Sequence, residues 1–333
     1  MGPTQSHLTR RDALAVLGSA AVGLAAHSFP SFPNEPDRID KLLPSFSEKS
    51  RAILRRLLAD PQYSGQIPAA DTAALAQNDN LSPEKLMLAL IPLAQSYSQA
   101  PISNFHVGVI VRGASGALYT GANIEIPGQC LGFAVHAEQA ALANAYMHSE
   151  QFVTAVGVGG APCGHCRQFI EEMSPDGEIL IVTPKNPPRK LSAILPEPFS
   201  PMALGIKHGA FPVQETSLSL IKDSSDALAH AALDAAKKAY APYSKSPSGV
   251  AIRSASGRIY RGSYIENVAF NPSLSPLQVA LAGLIAAGES YSAIQAVTLV
   301  EVQGAKISQK AATEAVLGAI APKVIPQVFL AGV

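Results

Sequence analysis

The sequence predicts an α/β protein built as two tandem copies of one domain, the second of which has lost its chemistry. Three observations predict this. Residues 107–125 and 248–266 align without a gap at an offset of 141, with 10 identities in 19 positions. Each stretch reads as a β-rich run, a Ser-Gly turn and a second β-rich run, the pattern of a hairpin. Around each hairpin the order is helix, hairpin, helix, strand, helix, which places helices in layers on a sheet. A repeat this long marks a duplicated domain, because the units of solenoids are shorter.

The elements follow in chain order. Thr9-Arg10-Arg11-Asp12 precedes an uncharged run over residues 13–26. Fourteen residues are too few to span a bilayer, but they fit the apolar region of a signal peptide of twin-arginine type. Export to the periplasm is the expectation. An ordinary amphipathic or disordered extension of a cytoplasmic protein is the alternative. Residues 47–60 carry apolar positions at helical spacing, with Ser47 or Ser50 as cap. Ser82-Pro83-Glu84 opens a further helix through Leu86, Leu88, Leu90 and Leu93. The upstream helices also correspond, residues 89–97 matching residues 232–240. Residues 153–158 and 296–302 are the buried-strand candidates. Six prolines between 184 and 201 mark connecting chain, since proline cannot propagate a helix or a central strand. The expected limits are 1–45 for the signal-like segment and tether, 46–81 for a helical region, 82–202 for a catalytic domain, 203–222 for a linker and 223–333 for the degenerate copy.

Composition narrows the function. The chain has 333 residues, 47% hydrophobic and 15% charged, with Lys plus Arg and Asp plus Glu equal at 25 each. Those proportions suit a well-buried globular protein and argue against disorder. Zero net charge argues against a nucleic-acid binder, whose affinity rests largely on phosphate neutralisation. Three cysteines, Cys130, Cys163 and Cys166, are too few for a disulfide scaffold.

The chemistry is concentrated in His136-Ala137-Glu138-Gln139 and Pro162-Cys163-Gly164-His165-Cys166. Cys-x-x-Cys alone reads equally as a zinc knuckle or a redox pair. The addition of His136 gives one imidazole and two thiolates, three ligands that leave the fourth position of a zinc open to water, as in catalytic sites. Both segments look like helix starts, so cysteines at i and i+3 share a face and the helix dipole favours thiolate. Arg167 adds a positive charge beside them. Glu138 is not needed as a ligand, and a carboxylate in that place can shuttle protons. His165 is badly placed to be a fourth ligand. Cys130 and the remaining histidines, His106 among them, read as packing or surface residues.

At these residues the chain resembles the long, two-domain, dimeric type of the cytidine/deoxycytidylate deaminase family. The resemblance runs from about Ser47 to the C-terminus. It is carried by Pro101-Ile102-Ser103-Asn104-Phe105, Gly121-Ala122-Asn123-Ile124-Glu125, the His136 and Cys163 motifs with Arg167-Gln168, and in the second copy Pro242-Tyr243-Ser244 and Glu266-Asn267-Val268-Ala269-Phe270. The resemblance implies a three-layer α-β-α fold and hydrolytic deamination of cytidine and 2′-deoxycytidine, a reaction of pyrimidine salvage. It implies one Zn2+ per chain on His136, Cys163 and Cys166, with Glu138 as proton shuttle. Asn123 and Glu125 would hold the ribose 3′-hydroxyl and Phe105 would pack on the pyrimidine. Phe199 and Ala269 would reach the site of the partner chain in a homodimer. Two positions depart from the family pattern: His106 stands where Asn is usual, and Ala161 where many relatives have Thr. Aligning Gln139 with Gln278 sets Ser275-Pro276-Leu277 opposite His136-Ala137-Glu138, so the second copy cannot form the site.

Two other functions fit the sequence less well. A deaminase acting on polynucleotide would need basic surface and stacking residues, which zero net charge and the absence of Trp disfavour. A zinc-stabilised binding protein without activity is disfavoured by the intact His136, Glu138, Cys163 and Cys166. Neither nucleic-acid binding nor stable membrane association is expected.

Overall fold

A computed structural model describes residues 37–174, 176 and 178–332. The Arg10-Arg11 segment and its apolar run lie outside the described residues. Among those described, no helix is long and apolar enough to cross a membrane.

The first copy begins with helices α1 (Asp37–Leu42) and α2 (Glu48–Ala59). α1 falls inside the stretch read as tether, and buries Ile39. Ser47 caps α2, accepting from Ser50 N. Strand β1 (Gln66–Ile67), α3 (Ala69–Asn78) and α4 (Pro83–Gln95) follow, α4 capped by Ser82 with Pro83 at its first position as the sequence predicts. Then come the hairpin β2 (Gly108–Gly113) and β3 (Leu118–Ala122), α5 (Ala137–Met147), β4 (Val153–Val158), α6 (Gly164–Met173), β5 (Leu180–Thr183) and β6 (Asn186–Lys190). The second copy comprises β7 (Ser219–Leu220), α7 (Ala227–Lys237), the hairpin β8 (Ser248–Ser254) and β9 (Ile259–Ser263), α8 (Pro276–Ala286), β10 (Ile294–Val302), α9 (Lys310–Ile320) and β11 (Gln327–Gly332).

Two sheets result, ordered β1-β3-β2-β4-β5-β6 and β7-β11-β10-β8-β9. In each, the hairpin is antiparallel, its first strand pairs antiparallel with the next strand (β2 with β4, β8 with β10), and that strand pairs parallel with the one after the crossover helix. Helices cover both faces. A Cβ on Gly108 would strike the backbone of α4 at Gln95 and Ile91, whereas one on Gly121 would strike α5 at Ala137 and Ala141. Gly121 pairs directly with Val109, the neighbour of Gly108, so the two glycines point to opposite faces. Their absent side chains let a helix lie directly on the sheet on each side, giving the three-layer α-β-α arrangement. Gly249 and Gly262 do the same for α7 and α8.

Those glycines correct two sequence readings. Gly249 meets Ala232 and Ala236 where Gly108 meets Ile91 and Gln95, so the helices correspond at the hairpins' own offset of 141. The match of residues 89–97 to 232–240 is therefore displaced by two positions. An Ala-rich helix carries little register information, and the close approach to glycine is what sets it. The Pro-rich connecting chain is also not free of structure. Residues 186–190, with Pro187 and Pro188, form β6, pairing with β5 through Thr183↔Asn186, Ile181↔Arg189 and Leu180↔Lys190. The two prolines fall at the irregularity in that ladder and on an outer strand, where a missing N–H costs little.

The copies join face to face along α5 and α8. Gln139 Nε2 donates to Pro272 O at 2.8 Å, and its counterpart Gln278 Nε2 donates to Phe133 O at 3.2 Å. The carboxylate of Glu172, fully buried on α6, accepts from Tyr240 OH at 2.7 Å, Tyr243 OH at 2.6 Å and Val268 N at 2.8 Å, all from the second copy. A buried acid left without these partners would carry a desolvation cost of roughly 1–3 kcal/mol or more. The helix that carries the cysteine pair is thus held by the copy that has none.

Candidate metal centre and active site

Two helix starts build the metal group. His136 is the N-cap residue of α5, fixed by a capping box in which Gln139 Oε1 accepts from His136 N at 3.2 Å. Cys163 is the N-cap residue of α6, its Sγ accepting from Cys166 N at 3.4 Å. His136 Nδ1, Cys163 Sγ and Cys166 Sγ form a triangle with sides of 3.6, 3.5 and 3.3 Å. Among the described residues, these three are the group of His, Cys, Asp and Glu side chains that could hold a metal ion.

The fit to zinc can be tested on this spacing. Bond lengths of about 2.3 Å to sulfur and 2.0–2.1 Å to nitrogen in a tetrahedron set ligand atoms roughly 3.6–3.8 Å apart. The triangle is within a few tenths of an ångström of that. The chemistry of the donors agrees. Burial pushes the Cys166 thiol up, and the nearby Glu138 carboxylate and Cys163 push it further. Alone, Cys166 would stay protonated, and a coordinating cation is what reverses this. His165 turns its ring toward His136, centroids 5.2 Å apart, and stands outside the triangle. The charge of Arg167 has another use than the sequence reading gave it: its guanidinium donates to Pro162 O and Ile194 O, both at 2.9 Å, pinning the loop before Cys163.

The metal group opens on a cavity of about 700 Å³. Glu138, 6% exposed in the first turn of α5, lies in its wall beside His136 and Cys163. Phe105, Asn123 and Glu125 line the same space. The structure gives these last two a task that the sequence did not show. Glu125 accepts from Ile102 N at 2.8 Å, Ser103 N at 3.0 Å and the Ser103 hydroxyl. Burial pushes the Glu125 carboxyl up, but these donors, led by the Ser103 hydroxyl, outweigh it and hold it below the usual carboxylate range. Asn123 Oδ1 accepts from Val107 N at 2.9 Å, and its Nδ2 donates to Phe105 O at 2.8 Å. Both side chains therefore fold residues 101–107 around the cavity and present Phe105, 71% exposed, at its mouth.

His106, read from the sequence as a packing or surface residue, also lines the cavity. Its departure from the family pattern was the one signal that pointed to it. Phe199 and Ala269 do not line this cavity in their own chain. Both are exposed, as is Phe270 beside Ala269.

In the second copy the corresponding site is filled. Ser275 takes the place of His136 as a plain helix cap, its Oγ accepting from Gln278 N at 3.3 Å. Leu277 occupies the place of Glu138 and is buried. Glu266 keeps the loop-holding role of Glu125, accepting from Tyr243 N and Ser244 N.

The chain is similar in sequence to known proteins. Residues 82–182, and again residues 191–314, match the family described as "Cytidine and deoxycytidylate deaminase zinc-binding region". A cytidine deaminase of Vibrio parahaemolyticus is 42% identical over 287 residues, covering 86% of this chain and 97% of that protein. One of Vibrio cholerae is 42% identical over 289 residues with the same coverage. The crystal structure of cytidine deaminase from Mycobacterium leprae aligns at 32% identity and a TM-score of 0.30, covering 34% of this chain and 94% of that one. On the two family matches and the length of the sequence match, the chain belongs to the cytidine and deoxycytidylate deaminase family.

Proposed function

We propose that the chain hydrolyses cytidine and 2′-deoxycytidine to the corresponding uridines and ammonia. The observation that carries this reading is one cavity lined by His136 and Cys163 of the metal group, by the buried carboxylate of Glu138 and by a polar pair, Asn123 and Glu125. A nucleoside has the matching form, an amino-pyrimidine on a sugar. His136, Cys163 and Cys166 would hold one zinc, which when bound supplies a Lewis acid able to lower the pKa of a water toward about 7. Glu138 takes the proton from the attacking water as its oxygen bonds to C4 of the ring. The same carboxyl passes that proton to ring nitrogen N3, then takes the second proton from the new C4 hydroxyl and gives it to the amino group, so the C4–N bond breaks with ammonia as leaving group and C4 keeps a carbonyl oxygen. Phe105 packs on the ring, and Asn123 with Glu125 takes the sugar 3′-hydroxyl.

Water is excluded best if the mouth is covered. We assign that cover to a second chain in a homodimer, supported by the exposed Phe199, Ala269 and Phe270, which have no role in their own chain's cavity. Incubation of the chain with free cytidine, followed by ultraviolet absorbance, should show conversion to uridine, together with one zinc per chain. Absence of turnover in zinc-loaded protein overturns the reading.

A fragment of residues 46–221 holds every assigned zinc ligand but should have no more than a trace of turnover. It lacks Tyr240, Tyr243 and Val268, so the buried Glu172 carboxylate on α6 loses the partners that hold it. It also lays bare the face of α5 that packs on α8, and exposed apolar faces aggregate. A soluble, zinc-loaded fragment with full turnover would show the second copy to be dispensable.

A further inference from the structure

We infer that Ser98 and His106 form a proton-ordered relay that positions Asn123 for the substrate's sugar hydroxyl, with the proton of neutral His106 on Nδ1. The inference rests on the assignment of Asn123 to the sugar under the proposed function. It is built from hydrogen-bond bookkeeping in a small network around the buried Ser98.

The orientation of the Asn123 amide is settled by two backbone groups. Val107 N–H needs an acceptor and Phe105 C=O needs a donor, so Oδ1 faces the first and Nδ2 the second. Oδ1 has a second lone pair, and the Ser98 hydroxyl, buried, donates to it at 2.5 Å. That spends the only proton Ser98 has. His106 Nδ1 lies 3.0 Å from the same Ser98 oxygen. With its proton committed to Asn123, Ser98 can only accept there, so Nδ1 must carry a hydrogen. The order of donation is His106 Nδ1–H to Ser98, then Ser98 O–H to Asn123.

Two consequences follow for the cavity. Both Oδ1 lone pairs of Asn123 are filled, and one Nδ2 hydrogen is taken by Phe105 O. What Asn123 has left to offer a ligand is a single N–H donor, beside the acceptor oxygens of Glu125. That pair suits one hydroxyl, accepting from Asn123 and donating to Glu125. Second, His106 is held at both ends, because its carbonyl accepts from Gln95 Nε2 at 2.8 Å. His106 thus ties the loop of residues 101–107 to α4 through its carbonyl and to Ser98 through its ring. Neither Ser98 nor His106 needs to touch the substrate; both act through Asn123.

The test uses the full zinc-loaded chain with cytidine and 3′-deoxycytidine as substrates. His106→Leu removes the hydrogen bond to Ser98, and Ser98→Ala removes that one and the one to Asn123, so in each the KM for cytidine should rise at least about threefold while kcat changes less than about twofold. The KM for 3′-deoxycytidine should stay as it is, because the hydroxyl that Asn123 serves is missing. His106→Asn, which can put an N–H near the place of Nδ1, should restore most of the loss. Unchanged discrimination between the two substrates in Ser98→Ala and His106→Leu overturns the relay, and so does a His106→Asn variant as impaired as His106→Leu. Asn123→Ala separates this from the underlying reading: if it too leaves the discrimination unchanged, the sugar assignment is what fails. Nitrogen-15 NMR of the wild-type imidazoles gives an answer free of any variant's stability, with His106→Asn used to assign the signal. In the neutral form of the ring the proton is expected on Nδ1, and a neutral ring with its proton on Nε2 overturns the inference.

Discussion

Glu138→Gln should keep its zinc and its fold and lose at least about 10²-fold in kcat, the usual scale for removing a general acid–base group. The replacement keeps size and shape in a wall position that is 6% exposed, so packing around α5 is preserved. What is lost is the ability to move one proton from water to the ring and a second from the new hydroxyl to the amino group. The amide can still accept a hydrogen bond, so KM should change far less than kcat, the mark of an interaction made in the transition state. Measurement of kcat, KM and zinc content on one preparation decides it. Near-normal kcat in a zinc-loaded variant would remove Glu138 from the role of proton shuttle.

Cys166→Ala should abolish turnover by a different route, with metal content falling together with activity. Cys166 is the buried member of the triangle, at 3.3 Å from His136 Nδ1 and 3.5 Å from Cys163 Sγ. Without it, His136 and Cys163 are two exposed donors, too few to hold an open zinc site. Because α6 is anchored separately through Glu172, the loss should leave the secondary structure close to wild type. The variant should thus appear folded by circular dichroism and empty by metal analysis. A Cys166→Ala chain that retains one zinc per molecule would exclude it as a ligand. The contrast with Glu138→Gln is the informative part: one variant loses proton transfer with the metal in place, the other loses the metal.

The metal triangle was legible in the sequence because its residues declare themselves by type and local spacing. Two cysteines at i and i+3 at a helix start, with a His two residues before a Glu, leave few alternatives. The cap at Ser82, the two hairpins and the lost ligands of the second copy were legible for the same reason, each resting on residues close together in the chain, whereas the choice between Ser47 and Ser50 as cap of α2 was made by the structure. The errors arose where local type says little. An Ala-rich helix can slide against its counterpart by two residues until Gly108 and Gly249 set its place. Pro187 and Pro188 look like breakers until the strand is seen to be an outer one.

The sequence by itself determined the duplicated α/β fold, the residues able to hold zinc and the lost chemistry of the second copy. Tertiary structure alone decided what the unreactive residues do. Glu172, Tyr240 and Tyr243 are far apart along the chain and ordinary in composition, yet together they fasten the cysteine helix to the second copy. Asn123 and Glu125 turned out to hold the loop that carries Phe105, and His106 proved to be tied to Asn123 through Ser98. The physical reason is that a ligand set is specified by the intrinsic affinity of a few side chains for a cation, whereas a hydrogen-bond network exists only once folding has brought its donors and acceptors within about 3 Å of one another.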